Sequence, residues 1–222
     1  MILLALETAT EACSAALSIN GEIRERFEIA PRGHSQLILP MVEELLAEAG
    51  IGLGQVDALA FGRGPGAFTG VRIAVGVAQG IAFGADLPVV PVSTLAALAQ
   101  GCAADKVMAA MDARMHEVYW GIFQRETNGI MSPCQAECVM APAEVSLPAG
   151  TGWCGAGSGW QAYPDLRGHC SARVAEIYPD ALPHARDVAI LGEAGYAAGQ
   201  AVSAEAALPV YLRDQVAWQK AP

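Results

Sequence analysis

The order of the predicted secondary-structure elements repeats in the two halves of this 222-residue chain. Each half opens with three strands that fold back on one another, and helices and strands then alternate. The first strand of each half ends at an acidic residue, Glu7 in one half and Asp112 in the other. This repetition narrows the many possible α/β arrangements. It predicts an α/β protein with a duplicated ribonuclease-H-like fold, of the actin-like and sugar-kinase-like kind, built from two βββαβα-type lobes.

The repeat divides the chain into an N-terminal lobe, residues 1–104, and a C-terminal lobe, residues 105–222. In the second lobe, the third strand is predicted to run over about residues 130–140. The segment 208–218 has a mixed pattern that does not define its place, and packing back on the N-terminal lobe is one candidate arrangement.

Local signals define two features of the first lobe. Asn20-Gly21 between two alternating segments predicts a tight β-hairpin. A helical pattern of apolar residues then begins after Ser35, which is a favourable N-cap, and ends at Gly50. Pro40 inside this segment predicts either a kink or a regular helix that begins near Pro40.

The charge and composition of the chain limit its partners. It carries 13 basic and 23 acidic residues, and no cluster of Lys or Arg interrupts the excess negative charge. Because nucleic-acid affinity depends largely on neutralised phosphates, the chain alone is expected to bind RNA and DNA poorly. No basic segment precedes the apolar N-terminus, and the longest apolar run, 73–85, is shorter than a membrane span. We therefore expect a cytoplasmic protein that has no membrane contact.

Cysteine and histidine spacing does not predict a metal site. The six cysteines contain no CxxC pair, which in a cytosolic chain indicates reduced thiols. No two histidines have the spacing of a metalloprotease helix, so no metal ligand and no cofactor is predicted. The sequence around Ser158, GAGSGW, does not complete a nucleophile elbow. No catalytic residue is therefore assigned.

The stretch 61–86 joins a glycine-rich loop, GRGPG, to a helix without charge between Arg72 and Asp86. One interpretation is a phosphate cradle at a helix N-terminus, although the loop matches neither common phosphate-binding pattern and Pro65 removes one donor. The other is a tight turn that sets the helix against the sheet. Three glycines, at positions 76, 80 and 84, form a stripe that allows a neighbouring backbone to approach closely.

A nucleotide site between the lobes is the main enzymatic hypothesis. In a duplicated fold of this kind, carboxylates at the ends of the two first strands could hold a nucleotide-bound metal, which makes Glu7 and Asp112 the candidate cofactor-binding residues. The turn after Glu7 contains no glycine to donate freely to phosphate. Both residues have a structural alternative, and for Asp112 it is capping of the turn toward Arg114.

Several motifs together resemble the bacterial TsaB (YeaZ) family. They are GPGAFTGVRIAVGVAQGIA in the glycine stretch, HSQLILPMVEELLAEAG before it, ILLALETATEACSAALS at the start, DARMHEVYWGIF in the middle and PVYLR near the end. The resemblance is close over most of the first half and scattered in the second. One departure is that the first strand ends in Glu7-Thr8-Ala9, where this family commonly has Asp-Thr-Ser.

The resemblance implies a non-catalytic subunit that acts with the catalytic subunit TsaD and the ATPase TsaE. The complex transfers a threonylcarbamoyl group to the adenosine beside the tRNA anticodon, and this chain would meet tRNA only through the complex. The resemblance also places the partner interface on the two helices of the N-terminal lobe, with a homodimer when TsaD is absent. The partner-binding residues predicted in this way are His34, Leu37, Ile38, Met41, Leu45, Phe68, Thr69, Arg72, Ala74, Val75, Gly76 and Gly80.

Two other functions stay open at this point. The first is a small actin-like ATPase or kinase that uses the cleft between the lobes. The second is a metalloprotease, which would require bound zinc.

Overall fold

The computed structural model describes residues 1–213, which form two β-sheets with helices packed around them. The first sheet has the strand order β3-β2-β1-β4-β5, and the second has the order β11-β10-β6-β7-β8 with β9 also paired to β7. The strands are β1 (Ile2–Glu7), β2 (Ala12–Ile19), β3 (Glu22–Ile29), β4 (Ala58–Gly62), β5 (Val89–Val92), β6 (Lys106–Asp112), β7 (Val118–Arg125), β8 (Met131–Pro133), β9 (Cys138–Met140), β10 (Trp153–Ala156) and β11 (Val174–Tyr178). The helices are α1 (His34–Ala49), α2 (Phe68–Ala85), α3 (Thr94–Gln100), α4 (Gly159–Ala162), α5 (Pro164–Cys170) and α6 (Ala185–Ala197).

The two sheets repeat one pairing scheme. In each, the first strand of the lobe lies centrally, pairs antiparallel with the second and parallel with the fourth, and the fifth extends the parallel side. The second strand pairs antiparallel with the third, which in the C-terminal lobe is divided into β8 and β9. This repetition confirms the predicted duplicated ribonuclease-H-like fold.

The first strand is buried on both faces, as its continuous apolar sequence suggests. On one face Leu4 and Leu6 join a core with residues of α1 and α2. On the other face Leu3 and Ala5 join a second core with residues of α6. The central strand is therefore covered by helices on both sides.

Local signals predicted the turns of the first lobe better than the start of its first helix. Asn20 and Gly21 both have positive φ, at 52° and 87°, which fits the predicted hairpin. Gly50 ends α1 in the left-handed conformation, with φ 68°, also as predicted. The predicted N-cap at Ser35 is wrong, because α1 begins at His34 and Gly33 is the N-cap without a side-chain hydrogen bond.

The second lobe departs from the sequence-based expectation in two places. The strand expected over 130–140 is interrupted, because β8 and β9 pair with different parts of β7. Two short helices, α4 and α5, occupy a segment for which no element was predicted. The side chain of Trp160 in α4 is fully buried, and its indole Nε1 donates to the Met108 carbonyl at 3.1 Å. This contact anchors α4 to the central strand β6.

The second half of the sequence also contributes to the first sheet. Helix α6 packs against β1, β2 and β4, where Ser18 Oγ donates to Glu193 Oε1 at 2.6 Å. Farther along the chain, Val210 N donates to the Arg63 carbonyl at 2.9 Å. The division of the chain at residue 104 into two lobes stays a prediction, and residues 214–218 of the last predicted segment lie outside the described residues.

Candidate partner-binding surface and inter-lobe cleft

The glycine-rich loop packs tightly on the turn between β1 and β2. Ala67 N donates to the Ala9 carbonyl at 2.7 Å, and Thr8 Oγ1 donates to the Gly70 carbonyl at 2.7 Å. A Cβ atom added at Gly70 would lie 2.0 Å from the Thr8 carbonyl oxygen, and one at Gly66 would lie 2.5 Å from the Ala9 carbonyl oxygen. Protein backbone therefore fills the space in front of α2 that a phosphate cradle would need to leave open.

Glu7 lies inside the protein, with no exposed surface. Its Oε1 accepts from Ala9 N at 2.7 Å, and its Oε2 accepts from Thr94 Oγ1 at 3.2 Å. Burial raises the pKa of this carboxyl to about 7, against the opposing effect of these hydrogen bonds. A Cβ at Gly62 would lie 2.0 Å from Glu7 Oε2, so the side chain also has no free space on that side. In this conformation the carboxylate is closed off from any molecule in the cleft.

Asp112 caps the turn between β6 and β7. Its Oδ1 accepts from Arg114 N at 2.8 Å and from the Tyr163 hydroxyl at 2.7 Å, and its Oδ2 pairs with the Arg114 guanidinium at 3.0 Å. Burial, together with the hydrogen bond to Asp112, raises the pKa of Tyr163 to about 12. Arg114, Met115 and His116 all have positive φ, so the turn is wound in an unfavourable conformation that these contacts stabilise. The geometry supports the structural alternative for Asp112.

Metal ligands are also not gathered within residues 1–213. No three His, Cys, Asp or Glu side chains in this part of the chain lie close enough together to hold a metal ion. His34 contacts the Thr10 carbonyl at 2.8 Å, and His169 contacts the Val145 carbonyl at 2.9 Å, so each lies within its own local structure.

The outer face of α2 is the most unusual surface of the first lobe. Gly76, Gly80 and Gly84 are exposed, and a Cβ added at any of them would meet no atom within 4 Å. Two large apolar side chains flank this stripe, Phe68 at 65% exposure and Phe83 at 78%. We name this surface, formed by residues 68, 69, 72, 76, 80, 83 and 84, the α2 glycine face. It presents bare backbone between two aromatic anchors.

An aromatic stack marks the N-terminal end of the α2 glycine face. The Arg72 guanidinium lies 3.1 Å from the ring centroid of Phe68 and 5.1 Å from that of Tyr211. On length and composition alone α2 could also cross a membrane, with a mean hydropathy of 1.3. A third of the residues in that window are buried inside the protein, where they join the core of the first sheet.

The twelve residues predicted to bind a partner fall into two groups in the structure. Ile38, Leu45 and Ala74 have no exposed surface, and His34, Met41 and Val75 are also buried, so these six belong to the core of the chain itself. The residues with accessible surface are Leu37, which is half-buried, and Phe68, Thr69, Arg72, Gly76 and Gly80, which are exposed. A partner can reach only this second group without rearranging the lobe.

Sequence reasoning omitted three residues of the same surface, namely Phe83, Gly84 and Leu39, the last at 46% exposure. Phe83 lies seven positions after Gly76, which is two helical turns along the same face. That spacing could have identified it. The apolar character of α2 on all sides hid which face turns inward.

Fold and site together define a class of protein. The chain is a duplicated ribonuclease-H-like protein whose cleft carboxylates are engaged internally and whose α2 glycine face is uncovered in the described chain.

Comparisons with known proteins identify the family. The family model described as TsaD, tRNA N6-adenosine threonylcarbamoyltransferase, matches residues 27–221. The chain is 48% identical to the tRNA threonylcarbamoyladenosine biosynthesis protein TsaB of Escherichia coli, over 100% of this chain and 99% of that protein. It is 42% identical to the TsaB of Haemophilus influenzae, over 100% and 98%. The solved structure of YeaZ from Pseudomonas aeruginosa superimposes with a TM-score of 0.90 and 49% identity, over 95% of this chain and 99% of that one. The chain therefore belongs to the TsaB (YeaZ) family of the actin-like superfamily, as the sequence motifs predicted.

Proposed function

We propose that this chain is a non-catalytic subunit that pairs with a TsaD-type subunit and supports threonylcarbamoyl transfer to tRNA. Its relatives are named as tRNA threonylcarbamoyladenosine biosynthesis proteins, and the matching family model carries the name of the transferase. The observation that carries the proposal is the exposed α2 glycine face. In this role the protein works in the cytoplasm, together with a TsaE-type ATPase.

The α2 glycine face has the properties of a helix-docking surface. Exposed glycines in a helix interior each cost about 1 kcal/mol relative to alanine, and no packing within the described chain offsets this cost at Gly76 and Gly80. Helices that meet at small residues approach more closely than the usual 8–10 Å between axes. A partner helix that packs on this stripe would use the glycines and make the cost worthwhile.

The two phenylalanines set the length of the docking surface. Phe68 and Phe83 are 15 positions apart, which corresponds to about 22 Å along the helix axis. Buried aromatic anchors of this kind contribute much of the energy in protein interfaces. Helix α1 packs beside α2, and its exposed Leu39 extends the apolar surface. The surface matches two antiparallel or parallel helices of similar length on a partner.

A partner with the same fold presents equivalent helices, which explains why a TsaD-type subunit is the best candidate. The same surface on a second copy would give a homodimer when that subunit is absent. The net charge of −10 leaves the binding of tRNA to other members of the complex.

The internal contacts of Glu7 and Asp112 support a non-catalytic role. Glu7 is fully enclosed, and Asp112 holds its own turn, so neither carboxylate is offered to a nucleotide-bound metal. Calorimetry with ATP and magnesium tests the alternative of a small ATPase or kinase. Binding to the isolated chain at micromolar strength would revive that alternative.

A binding experiment with one matched control tests the proposed interface. Gly76→Gln places a long side chain on the α2 glycine face, and Gly168→Gln makes the same change at an exposed helical glycine in α5 that also has open space around it. We expect the Gly76 variant to bind the TsaD-type subunit at least a hundredfold more weakly in calorimetry, with an unchanged circular-dichroism spectrum. The Gly168 variant should bind like the unmodified chain. Equal affinities for both variants would refute the interface.

A further inference from the structure

A second candidate site lies on the α6 side of the first sheet, away from α1 and α2. It is a cavity of about 430 Å³ between the end of β3, the end of α3 and the segment that leads into α6. This volume lies in the range of small-molecule sites. Neither the proposed pairing through α2 nor the cleft carboxylates use it.

A buried carboxylate without a hydrogen-bond donor lines this cavity. Asp187 in the first turn of α6 is 3% exposed, and no donor within residues 1–213 hydrogen-bonds to its side chain. Gly101 faces it, and a Cβ atom there would lie 2.7 Å from Asp187 Oδ2, so a glycine at this position keeps the space beside the carboxylate open. Because a buried carboxylate without a partner is costly, the arrangement favours a ligand that supplies the missing donor.

The charged neighbours of Asp187 are mostly engaged elsewhere. Glu25 of β3 accepts from His184 Nδ1 and from the backbone N of Arg186, each at 3.1 Å. Arg125 of β7 donates to the Gly129 carbonyl at 2.9 Å and to the Cys102 carbonyl at 2.6 Å. The Arg186 side chain is exposed at the mouth of the cavity, where Asp180 also lies. Asp187 is thus the carboxylate left to meet a cation inside.

The remaining walls are largely apolar. Leu98, Ala181 and Leu182 line the cavity, and the ring of Phe27 stacks on that of His184 with centroids 4.2 Å apart. Such walls suit a hydrocarbon body rather than a second charged group. We propose that this cavity binds a small organic ammonium ion with an apolar body, and that the ammonium group donates to Asp187.

The ionisation of Asp187 gives the proposed site a pH dependence. Burial raises the pKa of this carboxyl to about 6, while Arg186, His184 and Arg125 oppose the increase and Glu25 adds to it. An ammonium ion needs the ionised carboxylate, so its affinity should fall as the pH drops through this value. We expect affinity about tenfold weaker at pH 5 than at pH 7.5.

A nuclear magnetic resonance titration of the full chain with 3-methylbutylammonium tests the proposal. Saturable shifts of the Gly101 and Leu182 amide signals are expected, with no such shifts from 4-methylpentanoate, which has a similar body and a negative charge. Asp187→Asn should weaken binding at least tenfold and remove the part of the pH dependence that Asp187 causes. Asp165→Asn, the matched change in the first turn of α5, should have no effect.

Two results would overturn the proposal: no saturable shift with 20 mM of the ammonium probe, or equal binding by the Asp187→Asn variant. If that variant fails to fold, the pH titration of the unmodified chain decides, because binding that does not weaken below pH 6 contradicts a role for the carboxylate. Nα-acetyl-lysine amide as a second probe separates two sources of the same chemistry. Tighter binding of the free amine supports a small-molecule ligand, and tighter binding of the capped lysine supports a lysine side chain of another protein at the same site.

Discussion

Two glycines of α2 should respond to the same substitution in opposite directions. At Gly76 a Cβ meets no atom within 4 Å, so Gly76→Ala removes only the conformational cost of glycine and should stabilise the isolated chain by about 0.5–1 kcal/mol. At Gly70 the Cβ would lie 2.0 Å from the Thr8 carbonyl oxygen, which cannot move without moving the turn after β1.

The cost at Gly70 follows from two contacts. Overpacking of this kind costs about 1–3 kcal/mol, and displacement of the turn weakens the hydrogen bond from Thr8 Oγ1 to the Gly70 carbonyl, which contributes about 1 kcal/mol. Against a gain of up to about 1 kcal/mol from helix propensity, the net destabilisation by Gly70→Ala is about 2 kcal/mol. The two variants should therefore differ by about 3 kcal/mol, or roughly 6–12 °C in Tm.

Urea unfolding followed by circular dichroism measures this difference. Gly168→Ala serves as the control, because its Cβ also enters open space, and it should resemble Gly76→Ala. The measurement should use low protein concentration, since a homodimer through α2 would add stability of its own. Stability changes of the same sign and size at Gly70 and Gly76 would refute the assignment of an inner and an outer glycine stripe.

Two further predictions concern the buried carboxyl and the core. The folded chain holds the Glu7 proton up to about pH 7, whereas the unfolded chain releases it near 4.5, so the stability that this proton contributes is present at low pH and is lost as the pH rises through 7. Glu7→Gln should abolish that share of the decline and stabilise the protein at pH 8 by up to about 3 kcal/mol, and urea unfolding at pH 5 and pH 8 would contradict this if both proteins changed equally. Ile38→Ala should destabilise by about 3 kcal/mol because the side chain has no exposed surface, while Phe68→Ala at 65% exposure should cost less than about 1 kcal/mol, mainly through its stack on Arg72. Similar unfolding free energies for these two variants would contradict the division of the predicted partner residues into core and surface.

The sequence predicted most of the architecture because apolar periodicity and turn residues report local structure. The five strands of the first sheet, the hairpin at Asn20-Gly21 and the end of α1 at Gly50 all depend on such local signals. Helices α4 and α5 were missed because Pro164 and Gly168 lie within this short segment, and both residues usually indicate loops.

The orientation of side chains was harder to predict, because it depends on contacts between distant parts of the chain. Gly70 and Gly76 belong to the same uncharged stretch, and only the approach of Thr8 distinguishes the inner from the outer stripe. The same limit applies to Asp187, which resembles an ordinary acidic residue in a first helical turn. Its burial becomes visible only when α6 packs on the first sheet.

Reconstituted tRNA modification tests the central claim most directly. Threonylcarbamoyladenosine formation by the TsaD-type subunit with its ATPase partner would be measured alone, with this chain, with Glu7→Gln and with Gly76→Gln. We expect modification to require this chain, to be fully supported by the Glu7 variant and to fail with the Gly76 variant. Loss of modification with Glu7→Gln but not with Gly76→Gln would contradict the account, because it would place function in the cleft carboxylate rather than on the α2 glycine face.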